Sequence, residues 1–294
     1  MDKNTTAAQG TRAGAATLVV SALSNQLCAA TGSMAFPGMG PVGVVAVRQF
    51  IAAAVLLPIV RPRFWTLTRH QWWPVLLLAV VFGTMNLTLY SAIERVGLGL
   101  AVTLEFLGPL SVALLGSRSK ASALCAVAAG LGVVAITRPK PSTDYFGIGL
   151  ALVAAASWAA YILLNRRVGQ RVPGVEGAAI AAGVSAILFL PVALIILPND
   201  PPDPFTVFCA VGAGVLASVV PYLADLITLR RMTPNVFGIL MSINPVFAAL
   251  IGAVALHEVL AMPQWAGIAL IVGANICALL FQGRKAHVGR FPSR

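Results

Sequence analysis

The scarcity and spacing of charged residues constrain this chain more than any other feature, because they leave long uninterrupted apolar runs. Only 10% of the 294 residues are charged, 59% are hydrophobic, and the mean hydropathy is +0.89. Soluble domains carry about 25% charged residues. Runs of about 20 apolar residues suit helices that cross roughly 30 Å of hydrocarbon, whereas barrel strands would alternate polar and apolar residues. The sequence therefore predicts an all-α integral membrane protein.

Ten runs are long enough to span a bilayer, and the first is interpreted as a retained helix rather than a cleaved signal peptide. Most of the connections are short, and the tails 1–13 and 283–294 are polar. The ten predicted spans are 14–34, 42–60, 74–92, 97–115, 121–137, 146–164, 176–197, 206–226, 235–255 and 263–282.

Basic residues indicate the orientation of these spans. If the N-terminus is cytoplasmic, 16 of the 20 Lys and Arg fall in cytoplasmic segments and three fall on the opposite side, while Arg48 lies inside the second span. Such an excess of cytoplasmic Lys and Arg is the rule for helical membrane proteins. We therefore expect a multi-pass protein of the inner (plasma) membrane with both termini in the cytoplasm. The net charge of +11 reports this topology and not binding to nucleic acid.

The two halves of the chain look like copies of one another. An offset of 136 residues places 95–116 over 231–252, so that Pro109 meets Pro245 and Arg95 meets Arg231. The same offset maps the first five spans onto the last five without gaps. Because five is odd, the second copy would cross the membrane in the opposite sense. The sequence thus predicts two inverted five-helix repeats, 14–137 and 146–282, an architecture typical of secondary transporters.

Two segments resemble a known family. EFLGPLSVAL (105–114) and GILMSINPVFAALIGAVALHEVLAMPQWAGIALIVGA (238–274) are similar to the EamA-domain proteins of the drug/metabolite transporter superfamily, of the threonine/homoserine exporter (Rht) type. The spacing of Glu258 and Gln264 is among the most specific parts. The resemblance implies an inner-membrane exporter of amino acids and related metabolites with the EamA fold.

The chain departs from that family at two places. Close Rht relatives tend to have Glu-Pro where this chain has Asn244–Pro245, which makes Asn244 a candidate site residue. Family repeats often begin their fifth helix with Gly-Glu, and here only Glu258 of the second half keeps the acid, while Ser122 stands in the first half. The substrate can therefore differ from threonine or homoserine.

Two charges lie inside predicted spans. Arg48 and Glu105 are about 9 and 12 Å from the outer ends of their helices at 1.5 Å per residue. A charge at mid-membrane costs at least ~2.5–3.5 kcal/mol, so it is expected to face the bundle interior with a partner. We predict an Arg48–Glu105 pair or a water-filled cavity that both share. The alternative is a buried ion pair that only fixes helix packing.

Asn25 and Asn86 lie at a similar depth. A zwitterionic amino acid suits this set, because Arg48 can bind a carboxylate, Glu105 an ammonium group, and the two amides can orient the ligand. Glu105 could instead carry a coupled proton, and the sequence leaves both roles open. Each asparagine could also simply make an interhelical hydrogen bond, worth roughly 0.6–2 kcal/mol.

The second repeat carries aromatic residues at the corresponding positions. The offset maps Asn25 onto Tyr161 and Asn86 onto Tyr222, and it maps both charged positions onto apolar residues. We expect Trp158, Tyr161 and Tyr222 to line the inner half of a cavity, or else to belong to the aromatic belt at the membrane interface.

Prolines interrupt the fourth and ninth spans. Proline cannot donate to the carbonyl four residues before it and kinks a helix. Pro109 would free the carbonyl of Glu105, and Pro245 that of Met241, which is tolerable in a membrane only beside a cavity or polar partner. The kinks either take part in the transport movement or are static features of packing.

These features predict a secondary active transporter that exports small amino acids or related metabolites by alternating access with proton coupling. Its expected partners are a small-molecule substrate, protons and the lipid bilayer, and the oligomer is a monomer or homodimer. The sequence shows no Walker GxxxxGK[ST] motif and no Cys or His spacing typical of a metal site, so no cofactor or metal is expected. The alternatives are an efflux protein for drugs, nucleoside-like or aromatic metabolites, and, more remotely, a membrane-embedded enzyme or scaffold.

Overall fold

A computed structural model of the chain describes residues 19–115, 120–137, 144–172, 176–199, 202–228 and 243–288. These residues are mostly helical, and no strand occurs among them. The helices are α1 (19–33), α2 (Phe36–Val60), α3 (Arg69–Val96), α4 (Leu98–Glu105), α5 (Leu107–Leu115), α6 (Lys120–Thr137), α7 (Tyr145–Arg171), α8 (Glu176–Asn199), α9 (Pro204–Thr228), α10 (Asn244–Ala255) and α11 (Met262–Val288), with a 3₁₀ turn at Phe64–Thr66.

Several of these helices have the length and composition of membrane spans. Four are long and apolar enough to cross a bilayer, and their qualifying segments are Phe36–Val60, Arg69–Val96, Tyr145–Asn165 and Glu176–Ile195. Shorter apolar helical segments cover Leu98–Val112, Pro204–Ala217, Asn244–Ala255 and Met262–Cys277. The protein is therefore all-helical with several apolar helices, as its composition predicts.

Several helices are longer than predicted, such as α3 (Arg69–Val96, predicted 74–92) and α7 (Tyr145–Arg171, predicted 146–164). Two further helices differ in where they begin or break. α2 begins at Phe36 rather than at 42, and Gly40, with φ +64°, separates its first turn from the rest of the helix. The helix predicted over 97–115 is interrupted at Phe106, so that it forms α4 and α5. The span predicted over 235–255 is described only from Ile243 onward, and its earlier residues lie outside the described part of the chain.

Polar side chains cap three of the helices. Thr68 and Gln71 form a reciprocal capping box at the start of α3. Asp144 and Asp203 accept hydrogen bonds from the backbone N–H groups of Gly147 (2.8 Å) and Thr206 (2.7 Å). Such caps satisfy N–H groups that have no partner within the helix, and they fix where each helix enters the bundle.

The most extensive packing joins helices of different predicted repeats. α3 packs along α7, α6 along α11, α2 against α8 and α9, and α4 against α10. The α6–α11 contact depends on a close approach, because a Cβ on Gly132 would lie 2.9 Å from the backbone oxygen of Gly267. The described helices of the two predicted repeats therefore interleave rather than form separate bodies.

Polar contacts tie α3 to α7 at both ends of the bundle. At one end, the Arg95 Nε lies 2.9 Å from an Asp144 carboxylate oxygen; we call this the Arg95 end. At the opposite end, the Gln71 amide donates to the Arg171 backbone oxygen at 2.6 Å, and Arg171 donates to the backbone oxygen of His70 at 3.2 Å.

The largest cluster of buried residues, which includes Tyr90, Leu104 and Phe106, lies between α2, α3, α4 and their neighbours.

Candidate functional site

The buried ring of Tyr90 lies beside Arg48, the arginine inside the second predicted span. The guanidinium carbon of Arg48, on α2, lies 5.2 Å from the centroid of the Tyr90 ring on α3. Tyr90 is fully buried, and its hydroxyl lies 3.5 Å from the Sγ of Cys28 on α1. Phe36 meets the ring edge-on at 5.9 Å. The face of an aromatic ring attracts a guanidinium, so Tyr90 provides Arg48 with a partner inside the bundle.

Gly32 on α1 makes room for this ring. A Cβ at Gly32 would lie 2.7 Å from Tyr90 Cε1 and 3.0 Å from the hydroxyl oxygen. Any larger residue at this position would displace the ring. α1, α2 and α3 thus meet at Tyr90, each through a side chain or a close backbone approach.

Glu105 is the last residue of α4 and is 5% exposed. Its carboxylate interacts electrostatically with Arg48, but no described residue donates a hydrogen bond to it. The predicted direct Arg48–Glu105 ion pair is not formed, and among the described residues the ion pair within 4 Å is Arg95–Asp144. The physical reason is that the guanidinium lies over the Tyr90 ring instead. The two charges therefore lie in the same region without touching.

The predicted asparagines are near the same ring. Asn86 is buried, one helical turn before Tyr90, and its amide nitrogen donates to the Phe82 backbone oxygen at 2.8 Å. Asn25 is half-buried on α1. Because residues three or four apart lie on one face of a helix, Asn25 is on the same face as Cys28, which contacts Tyr90.

Asn244 pairs with a residue that the sequence did not single out. The Gln26 amide nitrogen donates to Asn244 Oδ1 at 2.9 Å, so α1 is joined to the first residue of α10. Both side chains are buried, and the Gln26 Oε1 has no hydrogen-bond partner among the described residues. The signal in the sequence was a second amide, directly after Asn25, inside an apolar run.

The aromatic residues of the second repeat are distributed along α7 and α9. Trp158 packs edge-on against Phe106, with 4.7 Å between the ring centroids. Phe106 directly follows Glu105 in the chain. Tyr161 packs against Phe82 at 5.9 Å, one turn further from the Arg95 end. The structure thus places Trp158 against the neighbour of Glu105, and Tyr161 against Phe82, whose backbone oxygen accepts the hydrogen bond from Asn86. Tyr222 lies in α9, and its side chain is outside the described residues.

The two prolines lie at helix ends. α4 ends at Glu105 and α5 begins at Leu107, so the interruption is within one turn of Pro109. At this break Gly108 packs directly against the backbone of Ala155 on α7. Pro245 is in the first turn of α10, where no N–H donor is needed, and the carbonyl of Met241 lies outside the described residues.

The charged groups outside the predicted spans have conventional roles. The backbone N–H of Gly147 and then the Arg95 guanidinium lower the pKa of Asp144, and the N–H and hydroxyl of Thr206 lower the pKa of Asp203. In the described part of the chain, no group of three His, Cys, Asp or Glu side chains could hold a metal ion.

The chain is similar along most of its length to two named exporters. The threonine/homoserine exporter RhtA of Escherichia coli (strain K12) is 32% identical over 274 residues, which cover 92% of each chain. RhtA of Salmonella typhimurium (strain LT2) is 31% identical over 275 residues, again 92% of each chain. The profile of the EamA-like transporter family matches residues 145–280. This chain belongs to the EamA-like transporter family.

Membership of the EamA-like family confirms the resemblance to the drug/metabolite transporter superfamily and to its Rht type. It also makes the chain a membrane transporter rather than an enzyme, since its relatives are named exporters. One crystal structure has a TM-score of 0.62 and 20% sequence identity, and the match covers 92% of this chain and 98% of that one. At that identity the likeness concerns the fold alone.

Proposed function

We propose that this EamA-like protein is a secondary active transporter of the inner membrane that exports small amino acids or related metabolites, threonine-like or homoserine-like, in exchange for protons. In this proposal ten spanning helices form two inverted five-helix repeats, 14–137 and 146–282, that alternate access to a central site. One observation supports this proposal above all. The Arg48 guanidinium and the Glu105 carboxylate lie in the same buried region but form no direct ion pair.

An amino acid zwitterion complements these two charges. Arg48 would bind the α-carboxylate through its planar donors, and Glu105 would accept hydrogen bonds from the ammonium group. Asn25 and Asn86 would orient the ligand from α1 and α3. Arg48 has an aromatic partner but no carboxylate within ion-pair distance, and Glu105 has no described hydrogen-bond donor. Buried charges without a counter-ion are costly, so a ligand with one charge of each sign stabilises both at once. The names of the RhtA relatives, which specify threonine and homoserine, support this substrate class.

Glu105 would also couple export to protons. No described donor holds its carboxylate in the ionised form, so a proton can neutralise it when the ammonium group leaves. One carboxylate cannot accept a proton and bind an ammonium group at the same time. Competition between the two at Glu105 gives an exchange of substrate for proton without any further titrating residue.

The interrupted helices would allow the site to change its access. α4 and α5 can reorient at Phe106, beside Pro109, and the second repeat has Pro245 next to Asn244 and its partner Gln26. Trp158, Tyr161 and Tyr222 would line the path from the charged region toward the cytoplasm. Aromatic side chains there would guide an amphipathic ligand without holding it by charge.

A growth assay with matched variants tests the proposed function. Cells that express the wild-type protein should tolerate toxic concentrations of threonine, homoserine or their analogues better than cells with an empty vector. Glu105→Gln and Arg48→Lys should abolish most of this protection, whereas Glu94→Gln, which removes an exposed carboxylate from α3, should retain it. Normal export by Glu105→Gln would refute the coupling role. Protection against aromatic drugs alone would refute the amino acid substrate.

A reporter fused after Arg294 tests the proposed topology. An enzyme that is active only in the cytoplasm should be active in this fusion, because ten spans return the chain to its starting side. Activity of a periplasm-specific reporter at the same position would contradict the ten-helix arrangement. A fusion in the connection between α3 and α4, at Gly97, should give the opposite result from the fusion after Arg294.

A further inference from the structure

Glu258 caps a helix that lies far from it in the sequence. Its carboxylate accepts hydrogen bonds from the backbone N–H groups of Leu98 (2.5 Å) and Gly99 (3.2 Å), the first two residues of α4. N–H groups in the first turn of a helix have no partner within the helix, and the helix dipole favours a negative charge there. Glu258 belongs to the connection 256–261 between α10 and α11, so this cap joins the two predicted repeats.

The surroundings of the carboxylate are shaped to admit it. A Cβ on Gly97 would lie 2.9 Å from the Glu258 carboxylate carbon, and a Cβ on Gly252 would collide with one of its oxygens. The Glu258 N–H donates to the backbone oxygen of Gly252 at 3.0 Å, and His257 has a left-handed φ of +55°. Two glycines and a strained backbone thus surround one carboxylate, which is more than an ordinary loop requires.

α4 connects this cap to the charged region. The helix has eight residues, from Leu98 at the cap to Glu105 at the candidate site, a distance of about 10 Å along its axis. Gly99 also packs against α10, where its Cβ would lie 3.1 Å from the Cα of Ala249. A short helix moves as one rigid unit, so a displacement of Leu98 from Glu258 also displaces Glu105.

We infer that Glu258 is a positioning residue for transport. Its hydrogen bonds to the first turn of α4, which we call the joint, close the Arg95 end of the bundle. The inference rests on the proposed alternating-access function. While the joint is made, α4 is held against α10 and Glu105 keeps its place beside Arg48. The joint breaks when the Arg95 end opens, and α4 then moves away from the connection 256–261.

A reversible cross-link tests whether the joint must open. In the double variant Gly99→Cys/Ala249→Cys the two Cβ atoms would lie about 3.5 Å apart, at the short end of the disulfide range. Oxidation should abolish export by the double variant, and a reductant should restore it. The two single-cysteine variants, treated with the same oxidant, control for the native cysteines. Full export by the completely oxidised double variant would overturn the inference.

Accessibility of a buried position provides a second test that needs no substrate. Thr103 is buried in the middle of α4, and Thr103→Cys is a nearly isosteric reporter. In that background Glu258→Ala should increase the labelling rate by an impermeant thiol reagent applied from the Arg95 end by about tenfold, within the usual range of coupling between sites. Glu258→Gln, which keeps an acceptor oxygen, should have a smaller effect. Glu94→Gln, an exposed carboxylate near the same end, should have none.

The two tests separate failure of the inference from failure of the proposed function. If the wild-type protein exports none of the amino acids tested, the proposed function fails, and the labelling of Thr103→Cys still decides whether Glu258 holds α4. If the wild-type protein exports but Glu258→Ala changes neither labelling nor export, Glu258 is not a positioning residue.

Discussion

Tyr90 makes it possible for a guanidinium to lie inside an apolar bundle. Its ring faces Arg48, its hydroxyl is near Cys28, and its edge meets Phe36. A weakly hydrated, planar cation loses less by burial against an aromatic face than a compact ammonium group would. The position of the ring therefore determines the position of the charge.

Gly32→Ala should disturb this arrangement with a single methyl group. The new Cβ would lie 2.7 Å from Tyr90 Cε1, and overpacking of a filled core costs about 1–3 kcal/mol. We expect lower thermal stability in detergent and reduced export. Gly149→Ala, where a Cβ has no neighbour within 4 Å, should be neutral or slightly stabilising. Equal behaviour of the two variants would contradict the role of Gly32.

Asp144 should make a pH-dependent contribution to stability. Its lowered pKa means that the folded state favours the carboxylate, so this contribution is complete above the ordinary aspartate pKa of about 3.9 and is lost as the pH falls through the folded-state value. Asp144→Asn should therefore lower the melting temperature at neutral pH, and the difference from wild type should shrink below about pH 4. Thermal unfolding across this range measures it, and a difference that grows on acidification would be inconsistent with the Arg95 contact.

Sequence reasoning found some residues of this region and missed others for a physical reason. Arg48 and Glu105 were predictable because a charge in an apolar run is conspicuous. Tyr90 and Gln26 were not, because a tyrosine near a helix end and a glutamine beside an asparagine both fit ordinary packing. Their importance depends on which helices are neighbours, and a single sequence does not contain that information.

At the scale of elements, the α4–α5 break is the most informative feature. Pro109 predicts an interruption, since it lacks the N–H that a continuous helix would use. The sequence does not show that the break touches α7, where Gly108 packs on the backbone of Ala155. Similarly, the residues that Glu258 caps are 160 and 159 positions away, so the cap could not be inferred from the spacing of Glu258 and Gln264.

Gly108→Ala should separate α5 from α7. Its Cβ would collide with the backbone oxygen of Ala155, which has no rotamer to adopt, so the helices must move apart. We expect a loss of at least about 1–3 kcal/mol in the free energy of unfolding, together with lower export. Gly130→Ala on α6, where a Cβ meets open space, is the matched control. Recovery of stability by adding Ala155→Gly would contradict this explanation, because that change leaves the carbonyl in place.

At the scale of the whole molecule, the main result is the interleaving of the two predicted repeats. The predicted helix count and the predicted repeat rest on apolar runs and paired prolines, which are local signals in the sequence. The pairing of α3 with α7 and of α6 with α11 was not, because similar apolar helices can pack in many combinations. Close approaches at Gly108 and Gly132 select among these combinations.

The interleaving predicts how the chain responds to division. Residues 1–140 expressed alone should not yield a stable protein, because α2, α3 and α6 would each lack the helix on which they pack most extensively. Expression of 1–140 together with 141–294 should restore export, since the division falls between α6 and α7. The amounts of each fragment in the membrane and the export rate measure this. Stable accumulation of the first fragment alone would contradict the interleaved arrangement.

The pairing of early helices with late ones implies a delay during biosynthesis. α8 follows α2 by about 120 residues, and at about 5–20 residues per second the ribosome needs on the order of ten seconds to supply it. The delay between α6 and α11, the last helix to be synthesised, is slightly longer. During that time the surfaces of α2 and α6 that will pack against α8 and α11 are covered by lipid or by the insertion machinery. We therefore expect partly completed bundles of this EamA-like protein to remain associated with the insertion machinery until the final helix leaves the ribosome.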